Sequence, residues 1–391
     1  MCELLKLTET ELIVAGVFVG LFLIHLLFLL VVYLRPYRRL RKKKEMSVAS
    51  PPVSVIVYVN NESENLRKNL PSLLTQDYPD YEVIVVNDGS TDESDDVLKL
   101  LKAEYSRLYH TYIPEDTKYL SRKKLALTVG VKAARHDILL FTEVDCKPFN
   151  SGWVASMAAN YYDEKTEVVL GFCAYGSYGG FFHKLVAYDN LVCGLQYLSS
   201  ALARSPYTGS GRNLSYRKEN FFSHKGYSKS LNLRTGDDDL FINEVATSSN
   251  TRVEYSLDSI MEMVKVKSFS IWKEMKVSRA GTRRFYRGWA LFRYRFASTI
   301  FFMFLLTGLA IACYLGATGK YFLIAFPVLL YLLHFITKAI IFHKSAKMLK
   351  QKPLTFLLPL LEIITPLFNI YARIDHLARG KSDYTFRMTL R

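Results

Sequence analysis

Two nucleotide-binding signatures are missing from this chain of 391 residues. No Gly-x-Gly-x-x-Gly follows the first strand-like run and no Gly-x-x-x-x-Gly-Lys-Ser/Thr occurs anywhere, so neither a dinucleotide-binding Rossmann domain nor a P-loop NTPase fits. Cysteine is scarce. Cys2, Cys146, Cys173, Cys193 and Cys313 show no Cys-x-x-Cys spacing, and Cys313 lies in an apolar run where no ligand set could form. They read as free thiols in a reducing compartment. Acidic residues are outnumbered by basic ones, 36 to 51, for a formal charge of +15; such an excess favours an anionic partner.

What the chain has in quantity is apolar sequence, 50% of its residues, enough for one core of about 200 to 250 residues plus membrane segments. Residues 11–34 read ELIVAGVFVGLFLIHLLFLLVVYL, long enough to cross a bilayer and too long for a signal-peptide core, so an uncleaved anchor is expected after a short tail at 1–10. RPYRRLRKKK follows at 35–44 with seven basic residues. Its place beside a span, in a basic linker at 35–50, makes it a contact for anionic membrane lipids and not for nucleic acid, and puts this end on the cytoplasmic side. Two more apolar runs, 296–317 and 321–342, are separated by Thr-Gly-Lys and form a transmembrane hairpin. The last, 354–371, contains Pro359, Pro366 and Glu362; with its helix broken by the prolines it is expected to be re-entrant or interfacial, the alternative being a fourth span. A basic tail, 372–391, ends the chain.

Between the anchors, residues 51–263 alternate strand-like and helical patterns. VSVIVYV at 53–59 is a buried strand, ENLRKNLPSLLTQ at 64–76 an amphipathic helix, YEVIVVNDGS a second strand running into a turn, and DILLFTEVD at 137–145 a third after the helix KKLALTVGVKAA. Strand–helix alternation points to a parallel sheet. Ligands of such sheets sit beyond the carboxyl ends of the strands, where this chain carries Asn60, Asn61, Glu62, Asn87, Asp88, Glu143 and Asp145. Glu143 and Asp145, one residue apart, would project on one face of the strand end, a pair suited to Mg²⁺ or Mn²⁺ with phosphate oxygens. Asp88 in NDGSTD could accept hydrogen bonds from a base or sugar, or only close an Asx turn. LRTGDDDLF at 233–241 sets Asp237, Asp238 and Asp239 side by side, an arrangement that needs water, a cation or a chemical task.

Four blocks in order, VSVIVYVNNESENLRKNLPSLLTQDYPDYEVIVVNDGSTD, RKKLALTVGVKAARHDILLFTEVDCKPFNSGW, TGSGRNLSYRKENFFSHKGY and TGDDDLF, resemble membrane-anchored family 2 glycosyltransferases related to cellulose and hyaluronan synthases. The resemblance implies a GT-A α/β domain that binds a nucleotide-diphosphate sugar and transfers the sugar with inversion to a lipid-linked or glycan acceptor. Carried onto this sequence, it implies Asp88, Asn60 and Glu62 near the nucleoside and Lys124 near the nucleotide or diphosphate. It implies Asp145 with Glu143 on the metal, Trp153 shaping the donor pocket, and Gly211, Arg212 and Asn213 facing sugar and acceptor. Asp237 becomes the base that takes the acceptor proton; Asp239 aligns with a second acid that supports local structure or an arginine, and Asp238 is solvated.

Three departures stand out. Glu143 replaces the commoner Asp, Gly236 replaces a Glu in the base motif, and the family's Gln-x-x-Arg-Trp block is missing. In its place stands WKEMKVSRAGTRRFYRG at 272–288, within an amphipathic segment at 264–295 that is expected to lie at the bilayer surface with Arg279, Arg283 and Arg284 toward phosphates. The expected enzyme adds one sugar to a membrane-associated acceptor, from the cytoplasmic face of a cell membrane. The rival reading is a catalytically silent carbohydrate-binding protein or scaffold.

Overall fold

The computed structural model describes residues 8–40, 50–113 and 121–380. Parts of the N-terminal tail, the basic linker and the basic tail, at 1–7, 41–49 and 381–391, lie outside the described residues. The chain enters through α1 (Glu9–Phe28), whose helical course continues to Tyr33, and α2 (Arg35–Leu40). Next come β1 (Val53–Val59), α3 (Ser63–Leu74), β2 (Tyr81–Asn87), α4 (Ser94–Glu104), β3 (Leu108–Tyr112), α5 (Arg122–Ala133) and β4 (Ile138–Glu143). The second half of the domain holds β5 (Cys146–Pro148), α6 (Trp153–Ala158), β6 (Val168–Leu170), β7 (Cys173–Tyr175), α7 (Phe181–Leu202), β8 (Leu214–Arg217), α8 (Lys218–Ser223), α9 (Asp239–Val245), β9 (Thr251–Val253) and β10 (Met261–Met263). Four helices close the chain: α10 (Phe269–Thr282), α11 (Ala290–Ala317), α12 (Ala325–Met348) and α13 (Leu358–Ala378).

The main sheet runs β3-β2-β1-β4-β8-β6-β9, and a small sheet, β5-β10-β7, stands beside it. β1, β2, β3 and β4 are mutually parallel, whereas β8 is antiparallel to β4 and β6. Helices cover both faces of the parallel part, which is why β1 and β2 are almost wholly apolar and buried. The polar exceptions are satisfied internally: Ser54 Oγ donates to Glu82 Oε1 at 2.7 Å, and Arg135 Nε donates to Glu82 Oε2 at 2.9 Å. α5 lies so close to the sheet that a Cβ on Gly130 would come 2.8 Å from Ile56 Cγ2, a contact that requires glycine. Register pairs Val59 with Asn87 and Tyr58 with Glu143, so the carboxyl ends of β1, β2 and β4 finish level and face one cleft.

Four helical stretches, Glu9–Tyr33, Ala290–Ala317, Tyr321–Met348 and Thr355–Ala378, are long and apolar enough to cross a membrane. The chain is a membrane-embedded protein carrying an α/β domain. Phe18 of α1 stacks on Phe304 of α11 with centroids 4.9 Å apart, and His25 meets His334 of α12 at 2.7 Å. Lys320, in the turn of the α11–α12 hairpin, bonds Glu11 at 2.7 Å, placing that turn and the start of α1 on one side of the bundle. Arg35, at the other end, donates to Ser199 O of the α/β domain at 3.0 Å.

The break expected in the last apolar stretch is absent. Pro359 occupies the first turn of α13, where no backbone donor is needed, and Pro366 is accommodated inside an unbroken helix. Glu362 is paired with Lys338 at 2.6 Å, which removes the cost of a lone carboxylate there. The segment expected at the bilayer surface is a formed helix, α10, packed on α13 through Trp272 and Phe368, whose rings stack at 4.6 Å.

Candidate active site

The turn after β2 is built around Asp88, whose carboxylate accepts from Tyr58 Oη at 2.8 Å and Arg122 Nε at 2.6 Å. Asn60 Nδ2 donates to the Asp88 carbonyl at 2.6 Å, and Glu62 accepts from Asn65 at 2.7 Å. Asn60 and Asp88 thus form one unit at the ends of β1 and β2. Glu62 follows in the same loop and is turned toward α3.

At the end of β4 the chain departs from a simple strand. Glu143 is its last residue and Asp145 sits in the turn before β5, so the two acids do not share a strand face as their spacing suggests. They are gathered instead by Arg212, whose Nη2 lies 2.9 Å from Glu143 and 3.3 Å from Asp145. On the other side Lys123 Nζ bridges Glu143 at 2.8 Å and Asp237 at 3.0 Å. Burial would raise the Glu143 carboxyl, yet Arg212 and Lys123 lower it from 4.5 to about 2. Lys123 is pushed in the opposite sense: burial disfavours its charge, but Asp237 and Glu143 raise its pKa well above the ordinary range.

The three aspartates divide their work. Asp237 faces the cleft through Lys123. Asp238 is not simply solvated: it accepts from Gly211 N at 2.9 Å and from Asp239 N at 2.7 Å, capping α9. Burial, with Asp237 and Asp239 beside it, pushes its carboxyl up to about 6. Asp239 accepts from Thr282 Oγ1 at 2.5 Å and Tyr286 Oη at 2.8 Å, and ties the site to the end of α10. Gly236 has φ +99°, a backbone state that side-chain-bearing residues rarely adopt, and a Cβ there would meet Leu240 Cδ1 at 2.6 Å. Glycine in place of the family's Glu is what this loop conformation requires.

Other residues singled out in the sequence serve the frame. Lys124 is fully buried, and its Nζ donates to the carbonyls of Ser230, Leu233 and Thr235 at 2.5, 3.1 and 2.8 Å. Its amine is turned into the 230–235 loop and away from the cleft, with burial lowering its pKa to about 8. Trp153 is also fully buried; its Nε1 donates to Asn213 Oδ1 at 3.1 Å, and Asn213 Nδ2 donates to Phe172 O and Ser259 O. Both side chains are spent on each other beneath the site. Arg284 is exposed with its guanidinium over Phe285, whereas Arg279 and Arg283 line a cavity that reaches Arg212, Asp238 and Asp239. Lys123, Arg122 and Tyr58 were not singled out from the sequence. For Lys123 a signal existed in the doubled lysine opening α5, since only one of two adjacent helical side chains can face a given cleft.

The acid pair fits a divalent cation. Two carboxylates already flank one positive group, the Arg212 guanidinium, which stands where a cation would. No cluster of three or more His, Cys, Asp or Glu able to hold a metal occurs among the described residues, so an ion held by this pair would have to complete its shell with diphosphate and water. Arg212 would have to swing aside.

Comparison with known proteins bears on the domain that carries these residues. Residues 54–222 match the glycosyl transferase family 2 domain. Glycosyltransferase AglE of Haloferax volcanii is 35% identical over 105 residues, 26% of this chain and 33% of that protein. A poly-beta-1,6-N-acetyl-D-glucosamine synthase of Staphylococcus epidermidis is 28% identical over 111 residues, 28% of this chain and 26% of that one. The chain thus spans a third or less of the length of these relatives. A mannosyltransferase from Pyrobaculum calidifontis, solved with GDP-Man and Mn²⁺, shares the fold with TM-score 0.58 at 17% identity, over 93% of this chain and 99% of that one. Residues 54–222 thus carry a glycosyl transferase family 2 domain, and the chain has a GT-A-like fold.

Proposed function

We propose that this protein transfers a sugar, with inversion, from a nucleotide-diphosphate sugar to a membrane-associated acceptor, lipid-linked or glycan. The observation that carries the reading is the convergence on one cleft at the strand ends of Asp88, held by Arg122, with Glu143, Asp145 and Asp237, which Lys123 and Arg212 cross-tie. Asn60 and Asp88 shape the nucleoside end. Glu143 and Asp145 would hold Mg²⁺ or Mn²⁺, which when bound neutralises the diphosphate leaving group; the fold-sharing mannosyltransferase was solved with GDP-Man and Mn²⁺, which supports this choice. Asp237, buried at the acceptor side, takes the proton of the attacking group, and Lys123 orients it. Inversion follows from a single displacement, since no side chain needs to form a covalent sugar adduct. The basic residues Arg35, Arg38 and Arg39 at the domain end of α1 support a catalytic domain on the cytoplasmic side of a cell membrane.

The test uses detergent-purified full chain with Mg²⁺ or Mn²⁺, a panel of nucleotide sugars and a membrane lipid extract, following nucleoside diphosphate release. Donor-dependent release is expected. Silence with every donor would favour a non-catalytic scaffold. Asp237→Asn should lower transfer by about 10²–10⁴-fold while leaving donor binding nearly intact; unchanged turnover would remove Asp237 from its role.

A further inference from the structure

Arg212 is bound to the acid pair through one nitrogen. Its Nη2 serves both carboxylates, lying 2.9 Å from Glu143 and 3.3 Å from Asp145, while its Nε is buried without a hydrogen-bond partner among the described residues. A guanidinium binds anions best through two parallel N–H donors, and a buried N–H left without an acceptor costs about 1–3 kcal/mol. The two acids therefore compensate the charge of Arg212 but leave its fork half used. Glu143 is also held from its other side by Lys123 at 2.8 Å, so the carboxylate keeps a cation when Arg212 lets go.

The backbone around Arg212 is fixed, and its side chain has room. Gly211 N donates to Asp238 at 2.9 Å, Thr142 Oγ1 donates to Arg212 O at 3.1 Å, and Asn213 Nδ2 donates to Phe172 O and Ser259 O at 2.9 and 2.7 Å. The side chain borders a cavity of about 690 Å³ that Asp238 and Arg279 also line. Movement deeper into it is opposed, because Arg279 lies close enough for the two cations to repel. The other acids nearby are engaged, Asp237 by Lys123 and Asp238 by the amides of Gly211 and Asp239. A divalent ion that entered alone would thus strand the guanidinium without an anion, since two cations cannot share the same carboxylate oxygens. An ion that entered with a diphosphate would supply the missing anion and leave the charge of the cluster nearly unchanged.

We infer that Arg212 is an exchangeable counter-ion that couples metal binding to nucleotide binding: it holds Glu143 and Asp145 until a divalent ion and a diphosphate arrive together, then releases both carboxylates and donates to the diphosphate through its Nε and Nη edge. This rests on the transfer reading above and deepens it, because it sets the order in which ligands enter and leave. Arg212 opposes the ion by itself. With the diphosphate present it favours the same ion, since its own charge and its buried Nε then find an acceptor. When the nucleoside diphosphate departs, Arg212 returns to the acids and opposes retention of the ion. The coupling is reciprocal: the factor by which nucleotide tightens the metal is the factor by which the metal tightens nucleotide.

The test titrates Mn²⁺ into the detergent-purified full chain, alone and with saturating UDP or GDP, and reads binding by calorimetry and by loss of the free-ion paramagnetic resonance signal. In the wild type one of the two nucleotides should tighten Mn²⁺ by about tenfold or more. Arg212→Met should bind Mn²⁺ alone about tenfold or more tightly than the wild type, and the tightening by nucleotide should shrink by a similar factor. Arg212→Lys keeps the charge without the fork; it should keep the weak binding of Mn²⁺ alone and gain less from nucleotide. Arg212→Gln gives the same comparison if Arg212→Met does not fold. Mn²⁺ affinity in the absence of nucleotide that is unchanged or lowered in both neutral variants, or an undiminished tightening by nucleotide, would overturn the inference and leave the transfer reading standing. Mn²⁺ binding that Glu143→Gln leaves untouched, or no binding of Mn²⁺ with either nucleotide, would overturn both.

Discussion

Lys123→Met takes away the cation shared by Glu143 and Asp237, while keeping the side chain's length. Glu143 is held at about 2 against an ordinary 4.5, which at 1.36 kcal/mol per tenfold corresponds to about 3 kcal/mol in all. Arg212 is the largest single attractive cause and stays in place, while Lys123 contributes both its charge and a hydrogen bond, so the part due to Lys123 is on the order of 1–2 kcal/mol. The pair with Asp237 adds to this, for an expected loss of about 1–3 kcal/mol. The sign of the pH dependence follows from the direction of the shift. A depressed carboxyl contributes fully above its unfolded value of 4.5 and loses that contribution as pH falls toward about 2. The gap between wild type and variant should therefore be widest near pH 7 and narrow toward pH 3. Chemical or thermal unfolding of the full chain in detergent at the two pH values measures it. A gap that is constant or grows on acidification would show that Met disturbs packing and that the ion pairs contribute little.

Two further outcomes concern the frame. Gly236→Glu, which rebuilds the family's commoner motif, should cost about 1–3 kcal/mol from the positive φ and lower turnover, because the new Cβ displaces Leu240 beside the base; unfolding and turnover assays that match wild type would show that the loop can adopt another shape. Trp153→Phe keeps the ring but strips the donor from buried Asn213, and should lower stability by about 1–3 kcal/mol with little change in donor affinity; a selective loss of donor binding in calorimetry would return Trp153 to the pocket wall.

Much of the architecture could be read from the residues alone. Unbroken apolar runs of bilayer length mark spans whatever they pack against, because burial of backbone polar groups in lipid allows only a helix. Strand–helix alternation with polar residues at strand ends places a ligand cleft before any fold is known, since parallel strands must all end on one side. The order of the acidic blocks carried the family resemblance for the same reason: each block is local.

Tertiary structure decided what depends on partners distant in the chain. Whether Lys123 or Lys124 faces the cleft is settled by the 230–235 loop, whose carbonyls capture Lys124. Asp145 falls in a turn and joins Glu143 only because Arg212, brought in by β8, lies between them. Glu362 is neutralised because α12 supplies Lys338. Sequence periodicity determined where spans, strands and acids occur; which side chains meet was left to packing, because a charge or a buried amide is assigned its role by the neighbour that satisfies it.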